Sequence, residues 1–370
     1  MEQRPGKNVV ICLDGTGNQF KQENTNVVKL FRVLARDPQT QVAYYDPGVG
    51  TLADPSYKTP IGKKINKALG LAFGRGLTKN IEQAYAYLME QYAENDRIFI
   101  FGFSRGAYTA RALAGFIHSV GLMEKGCENL IPYAMALYKA RKVDFAILSK
   151  FKSTYGRSCQ IHFLGLWDSV STFGWIYDPV FLPYTTKNKS VQAVRHALAI
   201  DERRAFFRQL HWRRDNEQQD VKEVWFAGVH ADIGGGYPEA ESGLAKVSLR
   251  WMIEEAGSPK FGLKIDETKY NRYVLGIDSH NKYIGPDETA DAHESLKGPW
   301  WLVQYLPQRV WLPLENRKAI RIPPQMRSIE AGETLHHTVL NRIKTGKYKP
   351  ANLSVLDEAT LREQFNIEEM

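Results

Sequence analysis

Five short apolar runs, each ending in a polar or glycine-rich turn, constrain the fold of this chain more than any other feature. They span Asn8–Leu13, Gln41–Tyr45, Arg97–Gly102, Gln160–Trp167 and Glu223–Val229. Runs that are apolar at consecutive positions are typical of strands buried on both faces of a parallel sheet. Between these runs, apolar residues at helical spacing predict helices at Ile81–Tyr92 and Arg105–Val120. The alternation predicts an α/β fold in which a mostly parallel sheet carries helices on both faces.

The third run leads into Gly102-Phe-Ser-Arg-Gly106, which matches the G-x-S-x-G pattern of a nucleophile elbow. In such an elbow the serine has a strained backbone, and the glycines leave room where side chains would collide. The helix that follows is rich in alanine, which lets it lie close to the sheet. A Gly-Ser turn without chemistry is the alternative, and this context disfavours it. The pattern therefore predicts Ser104 as a nucleophile.

A serine hydroxyl needs a histidine to remove its proton and a carboxylate to orient that histidine. Among nine histidines, only His230 ends an apolar run and opens a glycine-rich turn, and Asp168 ends the run before it. Ligands bind outside the carboxyl ends of the strands in open α/β sheets. We therefore expect Ser104, Asp168 and His230 to meet at that edge as a catalytic triad.

Two other carboxylates are alternatives for the acid. Asp232 is close to His230 in sequence and could orient it or bind an ion. Asp201 lies in a segment that we interpret as a helix or a turn. We interpret the run around His196, just before it, as helix-like. We prefer Asp168 because it follows a predicted strand directly.

The oxyanion of an acyl-transfer reaction needs backbone N–H donors. We predict that Arg105, at the start of the helix after the serine, supplies one of them, helped by the helix dipole. Asp14 and its glycine-rich turn follow the first run, and Gly15 or Thr16 is the candidate for the second donor. A plain Asp-Gly turn is the alternative for this loop.

The amino-acid composition narrows the classes of protein to which this chain can belong. Apolar residues make up 43% of the 370 residues, as in ordinary globular proteins, and no stretch approaches the roughly 20 apolar residues of a membrane span. Cys12, Cys127 and Cys159 are too few and too scattered for a disulfide framework or a zinc site. We therefore predict no metal and no cofactor. The N-terminal residues lack the apolar core of a secretory signal, so we expect synthesis in the cytoplasm.

The formal net charge of +8 is spread along the chain, which is more typical of a solvated surface than of a nucleic-acid site. We predict no nucleic-acid partner. We expect one catalytic domain over residues 1–370, because no linker or repeat interrupts the chain. The aromatic, proline-containing segment at about 172–189 is either a surface loop or a lid near the site. Residues 258–330 are either a cap or chain that wraps the sheet edge.

Several motifs together resemble one α/β-hydrolase family of bacteria and fungi, typified by the phospholipase effectors of type VI secretion systems. The motifs are Asp14–Asn18, Gly102–Arg111, Gly165–Ser169, Gly228–Tyr237, Thr334–His337 and Tyr348–Leu353. The resemblance implies an α/β-hydrolase core and a triad of Ser104, Asp168 and His230. For effector members it also implies phospholipase A activity, export by a type VI system, and a secretion apparatus or an immunity protein as partner.

The sequence thus favours a serine hydrolase that cleaves carboxylic esters, with phospholipids as the expected substrate and peripheral contact with a membrane. A housekeeping esterase or lipase for small soluble esters is one alternative, and a non-catalytic binding protein with a hydrolase fold is another. A third is metal-dependent phosphoester hydrolysis by Asp14, Asp168, His230 and Asp232. It ranks last because it leaves the serine elbow unexplained.

Overall fold

A computed structural model describes most of the chain. The described residues are 6–15, 24–48, 71–140, 142–170, 174–175, 178–179, 182–204, 207–277, 282–296, 308–312, 317–321, 326–353 and 357–369. Within these ranges no helix is both long enough and apolar enough to cross a bilayer.

Eight strands in the described part of the chain form one sheet, and each pair of neighbours is parallel. In chain order they are β1 (Asn8–Leu13), β2 (Gln41–Asp46), β3 (Arg97–Phe103), β4 (Ile161–Trp167), β5 (Val191–Ala199), β6 (Asp220–Phe226), β7 (Thr334–His336) and β8 (Asn366–Glu368). Across the sheet they lie in the order β8-β7-β6-β5-β4-β3-β1-β2. The predicted α/β class with a parallel sheet is confirmed.

Helices cover both faces of this sheet. In chain order they are α1 (Asn26–Val33), α2 (Leu71–Gln91), α3 (Arg105–Val120), α4 (Ile131–Tyr138), α5 (Phe145–Tyr155), α6 (His230–Gly234), α7 (Gly243–Gly257), α8 (Glu267–Tyr273), α9 (His337–Lys344) and α10 (Glu358–Gln364). Short antiparallel pairs join 122–123 to 156–157, 174–175 to 178–179, and 308–312 to 317–321.

Successive residues of the central strands face opposite sides, as strand geometry requires. In β1, Val9 and Ile11 join the core that α2 and α3 cover, whereas Val10 and Cys12 join the core beneath α1 and α7. A third apolar cluster unites Trp225 of β6 with residues of β7, α9 and α10. Burial on both faces explains why these strands are apolar at consecutive positions.

The order of the strands places a binding crevice at one end of the sheet. β1 lies between β2 and β3, so the strand order reverses direction at β1. Ligands of open α/β sheets bind at the carboxyl ends of the strands beside such a reversal. Asp14 follows β1 and Ser104 follows β3, so both residues lie at this point.

One interpretation from the sequence needs correction. The run around His196, interpreted as helix-like, is strand β5, and Asp201 follows the carboxyl end of that strand. The C-terminal part of the chain completes the sheet, because β7 and β8 pair beside β6.

The proposed lid and cap segments are only partly described. In the 172–189 segment, residues 172–173, 176–177 and 180–181 lie outside the described residues. In the 258–330 segment the same holds for 278–281, 297–307, 313–316 and 322–325. Their roles as lid or cap stay predictions.

Candidate active site

Ser104 occupies a strained turn between β3 and α3. Its backbone has φ 57° and ψ −119°, a positive φ that costs a non-glycine residue on the order of 1–3 kcal/mol. Its N–H donates to the carbonyl of Trp167 at 3.0 Å, which ties the turn to the end of β4. Although Ser104 is the N-cap of α3, its hydroxyl does not cap the helix. The hydroxyl is thus directed away from the backbone.

The two glycines of the elbow are required by close backbone contacts. A Cβ on Gly102 would lie 2.5 Å from the carbonyl oxygen of Gly106. A Cβ on Gly106 would lie 2.2 Å from the carbonyl oxygen of Leu13. The elbow therefore packs without a gap against the loop that follows β1.

We expect Gly106→Ala to lower the free energy of unfolding by about 3 kcal/mol, because the methyl group collides with backbone that cannot move aside cheaply. Urea unfolding measures this change. Gly257→Ala is the matched control, since the nearest atom to its Cβ is a carbonyl oxygen at 3.6 Å. Equal stability of the two variants would contradict the packing described here.

The structure brings Ser104, Asp168 and His230 together in one hydrogen-bonded series. His230 Nε2 lies 2.8 Å from Ser104 Oγ, and His230 Nδ1 lies 2.5 Å from Asp168 Oδ2. Asp168 accepts the Nδ1 proton, which leaves Nε2 with a lone pair toward the serine hydroxyl. This is the tautomer that a general base needs.

Asp168 is fully buried, and its carboxylate has several donors. Besides His230, it accepts hydrogen bonds from Ala199 N at 3.1 Å and from both terminal nitrogens of Arg327. Burial raises the pKa of a carboxyl group, but Arg327 and His230 outweigh burial and hold the pKa of Asp168 well below its usual range. The residue therefore stays ionised next to His230.

The His230 ring packs against two phenyl rings. Phe103 and Phe207 have ring centroids 4.7 Å and 4.8 Å from the imidazole. The backbone N–H of His230 donates to Glu202 Oε2 at 3.3 Å, and Glu202 is paired with Arg204. These contacts fix the ring in the orientation that reaches Ser104.

A second buried histidine, His196, holds the turn that carries Asp168. Ser169 N donates to His196 Nε2 at 3.1 Å, and His196 Nδ1 lies 2.7 Å from Glu223 Oε1. Because Nε2 accepts a hydrogen bond, Nδ1 carries the proton and donates to Glu223. Burial lowers the pKa of His196, which favours this neutral form.

The two alternative acids do not contact the His230 ring. Asp201 Oδ2 accepts hydrogen bonds from Gly228 N at 2.6 Å and Tyr348 Oη at 2.8 Å. Asp232 accepts from Val229 N at 3.0 Å and pairs with His293 Nδ1 at 2.6 Å. Both carboxylates stabilise the turn that presents His230.

The three candidate oxyanion donors differ in how the structure places their backbone N–H groups. Arg105 is the first residue of α3, directly beside Ser104, and burial lowers the pKa of its side chain to about 10. The N–H of Gly15 donates to Asp14 Oδ1 at 2.6 Å, so it is directed at that carboxylate. Thr16 lies outside the described residues. The donor roles of Arg105, Gly15 and Thr16 stay predictions.

Asp14 has a structural environment of its own. Its Oδ2 accepts hydrogen bonds from Thr25 Oγ1 at 2.7 Å and Tyr45 Oη at 2.9 Å. Among the side chains that the structure describes, no group of three or more His, Cys, Asp or Glu residues is arranged to hold a metal ion.

Sequence reasoning missed Arg327, Glu202 and Phe207. Arg327 is 159 residues away from Asp168 in the sequence, so no local pattern indicates it. Glu202 lies in the charged segment after β5, where recognition of the strand would have drawn attention to it.

Comparison with known proteins identifies relatives of this chain. A family model described as "T6SS, Phospholipase effector Tle1-like, catalytic domain" matches residues 7–255. The uncharacterized protein YEL023C of Saccharomyces cerevisiae is 38% identical over 223 residues, which cover 55% of this chain and 32% of that protein.

Two solved structures are also similar. An uncharacterized protein from Pseudomonas aeruginosa is 18% identical, with a TM-score of 0.41 over 70% of this chain and 47% of that one. The Tle1 effector bound to the VgrG spike of the type 6 secretion system is 21% identical, with a TM-score of 0.38 over 65% of this chain and 53% of that one. The chain thus spans about a third of the yeast protein and about half of each solved chain.

Proposed function

Because this chain belongs to the family of Tle1-like phospholipase effectors of the type VI secretion system, we propose that it hydrolyses the carboxylic esters of phospholipids by phospholipase A-type acyl transfer. The observation that carries the proposal is the hydrogen-bonded series from Asp168 through His230 to Ser104. It lies at the carboxyl ends of the strands, where substrates of such sheets bind.

Each residue of the series has one task in the proposed reaction. Ser104 Oγ attacks the ester carbonyl while His230 Nε2 takes the hydroxyl proton, and His230 then donates that proton to the leaving alcohol. Asp168 holds the ring and stabilises the imidazolium. Water, activated by His230, hydrolyses the acyl-enzyme and releases the fatty acid.

The charge that develops on the carbonyl oxygen needs donors fixed in place. We assign one to the backbone N–H of Arg105, supported by the N-terminus of α3. The second comes from the loop after β1, either from Thr16 or from Gly15 once its N–H leaves the Asp14 carboxylate. The contact between Gly106 and Leu13 supports this assignment, because it keeps that loop against the elbow.

The lipid substrate is supported by the family to which the chain belongs. Delivery by a type VI secretion apparatus after cytoplasmic synthesis, with an immunity protein as a further partner, is part of the same proposal.

Product analysis on defined lipids tests the proposal. The purified protein is incubated with vesicles of a phospholipid that carries two different acyl chains and, separately, with a soluble short-chain ester. We expect release of one fatty acid and the matching lysophospholipid, and no product with Ser104→Ala. Cleavage of the soluble ester alone would instead support a small-ester esterase. A cleaved phosphodiester bond, or no product from either substrate, would contradict the proposal.

A further inference from the structure

We propose that Arg327 is a positioning residue of the triad, which holds the Asp168 carboxylate and sets the pH range in which His230 activates Ser104. The inference rests on the proposed function. Arg327 lies beyond residues 7–255, the segment that the family model matches, so part of the site comes from the chain that follows it.

The guanidinium of Arg327 makes a two-pronged contact with Asp168. Nη1 donates to Oδ1 at 2.5 Å and Nη2 donates to Oδ2 at 2.9 Å. Such a fork restricts the carboxylate in position and in rotation, which a lysine cannot do. The restraint matters because Asp168 has a positive φ of 38°, a strained backbone that surrounding contacts must maintain.

Arg327 is itself fixed by the backbone around the site. Nη1 also donates to the carbonyl of Ala199 at 2.9 Å, and Nη2 donates to the carbonyl of Phe207 at 2.6 Å. The Phe207 ring packs against the His230 ring. One buried side chain therefore joins the acid of the triad, the end of β5 and the segment that contacts the base.

Two ion pairs lie next to His230. Asp168 is paired with Arg327, and Glu202, which accepts the His230 N–H, is paired with Arg204 through two bonds of 2.9 Å. Other titratable side chains lie around the two turns. Near His230 they include Asp201 with Tyr348 and Asp232 with His293. Near Asp168 they include His196, with Arg111 and Glu223 beside it, and His211 on Glu223.

The pairing has a consequence for proton transfer. When His230 takes the proton from Ser104, its positive charge faces a carboxylate that a fixed guanidinium already neutralises in part. Removal of the guanidinium charge favours the imidazolium form of His230. In that form Nε2 already carries a proton and cannot accept the one from Ser104, so a variant without the guanidinium loses activity at a higher pH than the wild type does. We therefore expect a variant without the guanidinium to need a higher pH than the wild type to reach full activity.

The pH dependence of kcat/KM, measured on the phospholipid or ester substrate, tests the inference. For Arg327→Met we expect the acid limb to move upward by about one pH unit, with a roughly tenfold lower plateau because Asp168 is less well held. Arg327→Lys keeps the charge but not the fork, so its plateau falls and its acid limb stays in place. Arg203→Met is the matched control, since Arg203 pairs with Glu294 at the surface, and its profile is that of the wild type.

A merely structural role would lower the amount of folded enzyme and leave the acid limb where it is. Thermal unfolding and titration of Ser104 with a fluorophosphonate correct for that amount. If Arg327→Met does not fold, Arg327→Gln, which still donates to Asp168, carries the same test. An unmoved acid limb in the folded variant overturns the inference.

A second measurement separates this inference from the proposed function. The ring signal of His230 in isotope-labelled protein is identified by its loss in His230→Gln and followed by NMR between about pH 5 and about pH 9. Its titration midpoint is expected to rise in Arg327→Met and not in Arg327→Lys, whether or not any ester is hydrolysed. An equal midpoint in wild type and Arg327→Met overturns the inference even if the enzyme is a phospholipase.

Discussion

Replacing Ser104 with alanine is expected to lower kcat for ester hydrolysis by at least about 10⁴-fold. The substitution removes the only atom of the hydrogen-bonded series that can form an acyl-enzyme. It removes a single hydrogen bond, to His230 Nε2, and leaves the strained backbone and the contacts of the elbow glycines unchanged. The melting temperature should therefore change by no more than a few degrees.

Ser119→Ala is the matched control for this variant. Ser119 is a buried serine of the same helix α3, and its hydroxyl donates to the carbonyl of Gly115 at 2.8 Å, far along the helix from the elbow. We expect it to hydrolyse ester and to react with a fluorophosphonate as the wild type does. Hydrolysis by Ser104→Ala at the rate of the control would exclude the proposed nucleophile.

The placement of Ser104, Asp168 and His230 at one sheet edge was predictable because an apolar run leads up to the turn that carries each of them. Such runs can be identified from their own residues, without knowledge of the rest of the chain. A parallel sheet then brings their carboxyl ends to one edge. Prediction of the fold and of where these three residues lie therefore needed only local sequence, and their catalytic roles stay predictions.

Strand β5 was not predictable in this way, because its interior contains Arg195 and His196. Arg195 is buried against Glu255 and Asp220, and His196 against Glu223. These partners lie 25 to 60 residues away in the sequence, so the local pattern lacks the apolar run of a buried strand. The same reason hides Arg327, whose partners Asp168, Ala199 and Phe207 lie 120 to 159 residues away in the sequence.

The Asp-Gly turn after β1 shows a different limit. Gly15 or Thr16 was predicted to present its N–H to substrate. The Gly15 N–H donates to the adjacent Asp14 carboxylate and Thr16 lies outside the described residues, so that role stays a prediction. Asp and Asn side chains compete for nearby backbone donors in this manner. A sequence pattern therefore identifies where a loop approaches the site but not which atom its N–H meets.

The second large effect is expected from Asp168→Asn, which should lower both activity and stability. An amide cannot accept the Nδ1 proton of His230 and the fork of Arg327 at once, so the ring loses the tautomer that a base needs. We expect kcat to fall by about 10⁴-fold. The variant also leaves a buried guanidinium without its carboxylate, which should lower the free energy of unfolding by about 3–5 kcal/mol.

Asp46→Asn separates the cost of the unpaired charge from that of losing any buried carboxylate. Asp46 is also buried, and its described partners, Gly48 N, Asn80 Nδ2 and Tyr44 Oη, are neutral donors. Burial raises the pKa of Asp46, so its ionised form adds no stability of the kind that Asp168 adds, and we expect the substitution to cost at most about 1 kcal/mol. Urea unfolding at about pH 7 compares the two variants. At this pH Asp168, whose pKa is depressed in the folded protein, contributes fully to stability, because that contribution is present above its unfolded pKa of about 3.9 and is lost only as the pH falls.

The double variant Asp168→Asn/Arg327→Met then decides how the ion pair acts. Removing both partners leaves no buried charge, so it should regain at least about 2 kcal/mol relative to Asp168→Asn while its hydrolytic activity stays lost. The second substitution would then restore part of the stability without restoring catalysis. If the two substitutions instead lower stability additively, Arg327 and Asp168 are not coupled, and the guanidinium contributes to the fold through Ala199 and Phe207 alone.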